Sequence, residues 1–460
     1  MFRISVPTEK DKYDLSELAR MFVPASELDI VSREAMDVSE LMETAGEYYR
    51  IPTAGSKNDH KRLLYEYMSE ATGKTLDWGI LTGVRPSKLY RYICSREGRE
   101  EADRTFKEEY LVSGEKTGLV SRICSVQKRV NMSENPDAIG LYIGIPFCPT
   151  RCVYCAFTSN RITRPAAEKY MDALLKEIDF TAGLMKEKGW FPESIYIGGG
   201  TPTSLDDDHF EMLLSAVREK LFSVEETRRT AEFTVEAGRP DTITETKLEL
   251  IKKYGADRIS INPQSMKQET LDAIGRSHTP EQITEAFGIA KQKGFKNINA
   301  DLIAGLPGEV PQDFVNSLET IIGLDPTNIT VHTLAVKKAS RLIEEDADYA
   351  FKQAENVREM LAATSEMLNA AGYEPYYMYR QKHMAGNFEN VGWCKPGTAN
   401  IYNIRIMEED QTILALGAGG ISKIYYPAED RLERIPNVSN YEIYIERIDE
   451  MLERKRKGTE

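Results

Sequence analysis

Three cysteines stand at C-x3-C-x2-C spacing in Ile145-Pro146-Phe147-Cys148-Pro149-Thr150-Arg151-Cys152-Val153-Tyr154-Cys155-Ala156-Phe157. Thiolates this close together suit one metal centre, and the choice lies between zinc and an iron–sulfur cluster. A structural zinc site wants a fourth Cys or His, and none is nearby in the sequence. A cubane cluster held by Cys148, Cys152 and Cys155 alone would leave one iron open to a substrate or cofactor. Tyr154 and Phe157 would shield such a centre. The other cysteines, Cys94, Cys124 and Cys394, read as buried small hydrophobes.

Regular elements have to hold this loop. From about 140 to 335 short apolar runs recur, each followed by a turn and a helical segment. Strands are predicted at 141–145, 194–197, 232–236, 257–261, 298–303 and 328–333. Helices are predicted at 166–186, 206–221, 244–254, 280–291 and 312–322. Parallel strands with helical crossovers follow the right-handed connection rule. Six strands are fewer than the eight of a closed barrel, so the expected class is α/β, a partial (βα)6 barrel. Its site would lie at the C-terminal strand ends, where the cysteine loop follows the first strand.

Those ends carry the remaining candidates. Gly198-Gly199-Gly200-Thr201-Pro202-Thr203 follows the second strand, and a glycine run lets backbone amides approach a ligand. Glu236 ends the third strand and Gln264 with Ser265 the fourth, after which comes Ile274-Gly275-Arg276-Ser277-His278. Asp301 lies in the fifth, Ile298-Asn299-Ala300-Asp301-Leu302-Ile303. Charged and amide side chains at successive strand mouths are what a ligand-binding barrel face requires.

On either side the chain is less regular. Residues 1–130 read as an accessory domain, mostly helical but opening on a short strand at 2–6, with a helix around 60–68 and a turn at 82–86 entering another. Residues 131–345 form the barrel, and 346–460 an α+β extension covering the substrate. That extension has a helix at 349–370, a hairpin of strands 401–407 and 412–416, and a surface helix at 441–457. The whole chain has 460 residues, 41% hydrophobic and 29% charged, with Lys+Arg 59 against Asp+Glu 73 and a net charge of -14. This balance argues against nucleic acid as a partner, and no apolar run is long enough to span a membrane. The N-terminus lacks a signal-peptide pattern, so a cytoplasmic location is expected.

The cysteine spacing resembles that of radical S-adenosylmethionine (SAM) enzymes. The set IPFC-x3-C-x2-C, GGGTPT, VEA, RISINPQS, GR, NADLIAGLPG and ALGAGGIS resembles, more narrowly, the oxygen-independent coproporphyrinogen III oxidase family. ILTGVRPSKLYR in the N-terminal region is similar to the HemZ-type branch. The resemblance implies a [4Fe-4S] cluster and SAM as cofactors. It also implies a cofactor-binding set of Tyr142, Tyr154, Gly199, Gly200, Thr201, Glu236, Gln264, Arg276 and Asp301, with Ala335 and Ile421 as weaker members. Two positions depart from the family pattern: Gly144 stands where His is usual, and Phe157 where the decarboxylating enzymes have a fourth Cys.

The activity so implied is oxidative decarboxylation of coproporphyrinogen III propionates to vinyl groups, with an electron donor such as flavodoxin or ferredoxin. The alternatives are a haem chaperone and a radical enzyme opening the haem ring. A carboxylate-bearing tetrapyrrole needs cationic partners, for which Arg85, Lys88, Arg380, Lys382, Lys395 and Arg405 are candidates. Tyr376, Tyr377, Met378, Tyr379, Phe388 and Trp393 could wall a flat pocket. His332 and His383 are the histidines best placed near a site.

Overall fold

The computed structural model describes residues 1–35, 47–83, 85–155, 160–223, 229–335, 349–381 and 385–460. Phe157, Lys382 and His383 lie outside them. The chain divides into two compact units. One contains Met1–Ser125, Thr333–Glu359 and Met378–Asn390; the other contains Val126–His332, Met360–Tyr377 and Val391–Glu460.

The second unit is built on six strands that neighbour one another in chain order. They are β1 (Ala138–Ile145), β2 (Phe191–Gly199), β3 (Glu232–Gly238), β4 (Arg258–Gln264), β5 (Asn297–Ala304) and β6 (Asn328–Thr333). The pairs from β1 through β5 are parallel. The helices between them are α1 (Arg164–Lys188), α2 (Asp207–Leu221), α3 (Glu245–Lys253), α4 (Pro280–Gln292) and α5 (Pro311–Gly323). The expected order and class are those observed, and the sheet stays open, as a partial barrel.

Local sequence accounts for the helix starts. Asp206 caps α2 by accepting from the His209 amide, and Thr244 caps α3 through the Lys247 amide. Thr279 and Gln282 form a reciprocal capping box ahead of α4. Burial accounts for the strands: Leu141, Ile143, Ile195, Ile197, Val235, Ile259, Ile261 and Leu302 are all fully buried. Continuous apolar runs of this kind are what a parallel sheet covered by helices demands.

One expected strand is a helix. Residues 401–407 do not pair in a hairpin; they form α6 (Ile401–Glu408). Its start is fixed from outside, because the buried Glu232 carboxylate accepts the Ile401 and Tyr402 amides at 3.0 and 3.1 Å. Asn400 caps it through the Asn403 amide at 2.7 Å. No local pattern reveals a carboxylate arriving from β3. The next segment is a strand, β7 (Ile413–Leu416), but it extends the barrel sheet by pairing parallel with β1. It is followed by the antiparallel β8 (Ile421–Tyr426) and β9 (Arg431–Pro436). The 441–457 tail is two helices, α7 (Tyr441–Glu446) and α8 (Ile448–Lys457), and 349–370 is divided into Tyr349–Lys352 and Ala354–Ala370.

In the first unit Phe2–Val6 is the centre of a parallel three-stranded sheet, between Leu28–Ser32 and Tyr49–Arg50. Helices Glu9–Ala19 and Lys57–Thr72 contribute Leu15, Leu18, Leu64 and Met68 to its core. Among the described residues no helix is long and apolar enough to cross a membrane.

Candidate active site at the strand ends

The loop after β1 carries the cysteines, and the loop after β2 clasps it. Gly200 donates its amide to the Ile145 carbonyl and Thr201 to the Phe147 carbonyl, each at 2.7 Å. The Thr201 hydroxyl lies 3.4 Å from the Cys148 sulfur. Glycine is required here: Gly199 has φ +116 and a Cβ on it would stand 2.8 Å from the Ile145 backbone. A Cβ on Gly200 would collide with the Phe147 carbonyl and stand 2.9 Å from the Cys148 sulfur. The glycine run therefore serves the closure of two loops as much as the approach of a ligand.

The second cysteine faces the loop after β4. Arg276, buried, donates to the Asn262 carbonyl at 2.6 Å and to the Tyr154 hydroxyl at 3.4 Å. Burial, against the opposing Arg276 charge, lifts the Tyr154 hydroxyl above its ordinary range. Gln264 sits at φ +69, a left-handed conformation that a residue with a Cβ adopts only under constraint. Its buried Oε1 has no hydrogen-bond partner, and neither has the Arg276 Nε.

Inside the barrel three tyrosines stack. Tyr142 and Tyr196 are register partners on β1 and β2, and their rings lie 6.2 Å apart. Tyr402 of α6 stacks on Tyr196 at 4.6 Å. The Tyr196 hydroxyl donates to Glu236 Oε1 at 2.6 Å. Burial, aided by the Asp301 charge, pushes the Glu236 carboxyl up to about 7 against the stabilising Tyr196 bond. Asp301 accepts from Asn299 Nδ2 at 2.8 Å, with His332 Nε2 3.9 Å away.

Gly200, Thr201 and Arg276 thus meet the cysteine loop directly, Gly199, Tyr142 and Asp301 gather around Glu236, and Gln264 stands at the end of β4. Ile421 opens β8, is 47% exposed, and follows a turn in which a Cβ on Gly417 would strike the Gly144 carbonyl. Ala335 is half-buried and falls in the first unit. Sequence reasoning missed Tyr196 and Tyr402. Alternation along β2, two residues before Gly198, points to Tyr196, whereas Tyr402 was hidden by the strand reading of its helix.

The substrate-binding candidates fare differently. Arg405 is buried on Glu193 at 3.1 Å and on the Ser133 carbonyl at 2.6 Å, near the start of β2. Lys395 pairs with Asp325, just ahead of β6. Both are engaged at the N-terminal ends of the strands, away from the cysteine loop. Arg380 is buried in the first unit, donating to the Leu81 and Asn387 carbonyls. Arg85 and Lys88 belong to the same unit and are likewise engaged. Tyr376, Tyr377, Met378, Phe388 and Trp393 are buried core. Cys124 and Cys394 are buried as expected, and burial raises the Cys394 thiol to about 12, while Cys94 is half-buried.

Three soft sulfur donors on one loop fit an iron–sulfur cluster. The orphaned Gln264 and Arg276 atoms, beside a glycine-lined clasp, fit a polar cofactor next to it. Among the described residues no three Cys, His, Asp or Glu side chains already stand at coordinating distance.

Residues 142–321 match the model of the radical SAM superfamily. The oxygen-independent coproporphyrinogen-III oxidase-like protein HemZ of Bacillus subtilis (strain 168) is 40% identical over 409 residues, 88% of this chain and 81% of that protein. The heme chaperone HemW of the same organism is 29% identical over 60% of this chain and 69% of its own length. Among solved structures, coproporphyrinogen III oxidase (HemN) of Escherichia coli, a radical SAM enzyme, superposes with a TM-score of 0.54 at 25% identity, covering 72% of this chain and 73% of HemN.

Proposed function

Because this chain belongs to the radical SAM superfamily, in its branch of HemZ-type coproporphyrinogen-III oxidase-like proteins, we propose that it oxidatively decarboxylates the propionates of coproporphyrinogen III to vinyl groups. The observation that carries this reading is the likeness to HemZ over most of the chain. In the overall reaction a propionate loses a β-hydrogen atom and CO2, and an acceptor takes the remaining electron. The superfamily works with a [4Fe-4S] cluster and SAM, which when bound supply a 5′-deoxyadenosyl radical for the hydrogen abstraction.

The chain's own residues bind, orient and exclude water. Cys148, Cys152 and Cys155 would hold the cluster, with Thr201 beside the first of them. The Gly199–Thr201 turn, with Glu236, Gln264, Arg276, Asp301, Tyr142 and Tyr154, would hold SAM, and Ile421 would cover it. The Tyr142–Tyr196–Tyr402 stack would present an aromatic wall beside the site. Glu236, its carboxyl pushed up to about 7 by burial, accepts a hydrogen bond from Tyr196. An electron donor of the flavodoxin or ferredoxin type would provide the reducing electron.

Likeness to HemW favours a second reading, a haem chaperone that keeps both cofactors without decarboxylation. One assay separates the two. Anaerobically reconstituted protein is given a strong reductant, SAM and coproporphyrinogen III, and the products are followed by mass spectrometry. Successive losses of one formic-acid equivalent, with 5′-deoxyadenosine formed in step, are expected. Unchanged porphyrinogen together with stoichiometric haem binding would instead identify the chaperone.

A further inference from the structure

The middle of the cysteine loop is tied down by a residue that belongs to none of the motifs above. Arg239 follows β3 and is 3% exposed. Its guanidinium grips Asp241 at two points, Nε to Oδ1 at 3.0 Å and Nη2 to Oδ2 at 3.1 Å. Nη2 also donates to Ser277 Oγ at 2.8 Å, and Ser277 Oγ donates to Asp241 Oδ2 at 3.0 Å. Nη1 reaches out of this turn to Thr150, donating to its hydroxyl at 2.7 Å and its carbonyl at 3.2 Å. The Thr150 hydroxyl then donates to the Gly275 carbonyl at 3.0 Å, and the Val153 amide to the Ile274 carbonyl at 3.1 Å.

Three loops, after β1, β3 and β4, are thereby closed into one network, and each hydroxyl in it both accepts and donates. A local staple between Arg239 and Asp241 would explain the first two bonds but not those to a residue 89 positions away. Thr150 lies between Cys148 and Cys152, on an exposed stretch of loop. A planar, always-charged fork can hold a carboxylate on one edge and a distant backbone carbonyl on the other, which an ammonium cannot.

On the reading that Cys148, Cys152 and Cys155 hold the cluster, we infer that Arg239, braced by Asp241, is a positioning residue that fixes the Cys148–Cys152 loop and so retains the cluster. Groups that orient ligands without touching the metal commonly change metal affinity by about 10–100-fold when removed.

The test uses the full chain, reconstituted anaerobically, as wild type, Arg239→Ala, Arg239→Lys, Thr150→Val and, as a control on the ligands, Cys152→Ala. Iron per chain is measured, then the rate of iron loss to a ferrous chelator, then the EPR spectrum of the reduced cluster with and without SAM. Arg239→Ala and Thr150→Val are expected to lose iron about tenfold faster than wild type or more, with an altered EPR signal, and Arg239→Lys to fall between. Thr150→Val keeps the test open if Arg239→Ala does not fold, because it changes only an exposed side chain. Iron loss and EPR like wild type in Thr150→Val would overturn the inference. If Cys152→Ala retains as much iron as wild type, the ligand assignment itself fails, and the inference falls with it.

Discussion

Glu236 is the side chain whose chemistry most depends on what surrounds it. Burial lifts its carboxyl from 4.5 to about 7, so the folded protein holds this proton more tightly than the unfolded chain does. Stability contributed by that proton is fully present below pH 4.5 and is lost as pH rises through 7. Glu236→Gln keeps an acceptor for Tyr196 and removes the titration. Its stability relative to wild type is therefore expected to rise between pH 5 and pH 8, by no more than about 3 kcal/mol. Thermal unfolding of both proteins across that range checks it, and parallel curves would remove Glu236 as the cause. Glu236 was legible in the sequence as the acidic end of a strand. Its raised pKa was not, because that follows from burial and the Asp301 charge, which together outweigh the Tyr196 hydrogen bond.

At the scale of elements, α8 does more than lie on the surface. Lys455 is buried and pairs with Glu177 of α1 at 2.7 Å, also donating to the Ala415 carbonyl of β7 at 2.7 Å. The other Glu177 oxygen accepts from the Gly417 amide at 2.7 Å and the Tyr444 hydroxyl at 2.6 Å. The C-terminal helices thus hold the turn that precedes Ile421. Lys455→Met leaves the carboxylate buried without its cation and is expected to destabilise by roughly 3–5 kcal/mol. Lys455→Met combined with Glu177→Gln should recover part of that loss, read as the unfolding midpoint in denaturant. The acidic and basic pattern of 441–457 predicted helix correctly but an exposed one. A charged residue is buried only where a distant partner meets it, and spacing along one helix carries no record of that partner.

For the whole molecule, the discontinuity of the first unit sets what can be removed. Within it, Glu389 accepts from Trp78 Nε1 and Lys116 Nζ, each at 2.7 Å, and Arg380 donates to the Leu81 carbonyl. A chain beginning at residue 126 would retain Glu389 and Arg380 and lose all of these partners. It is expected to show no cooperative thermal transition and to bind a dye specific for exposed apolar surface, whereas a stable, cooperatively melting fragment would refute this. Spacing along the sequence was sufficient for the cysteine loop, the six strands and the helices between them, because 3.6- and 2-residue periods, caps and glycine turns are local properties. The same local information placed Gly199, Gly200, Thr201, Glu236, Gln264, Arg276 and Asp301 at the strand ends. Only the tertiary structure decided that 401–408 is a helix begun by Glu232, that Arg405 and Lys395 are spent on Glu193 and Asp325, and that Arg239 reaches Thr150. These are pairings of charges and backbone groups far apart in the chain, and they arise only when the sheet brings its loops together.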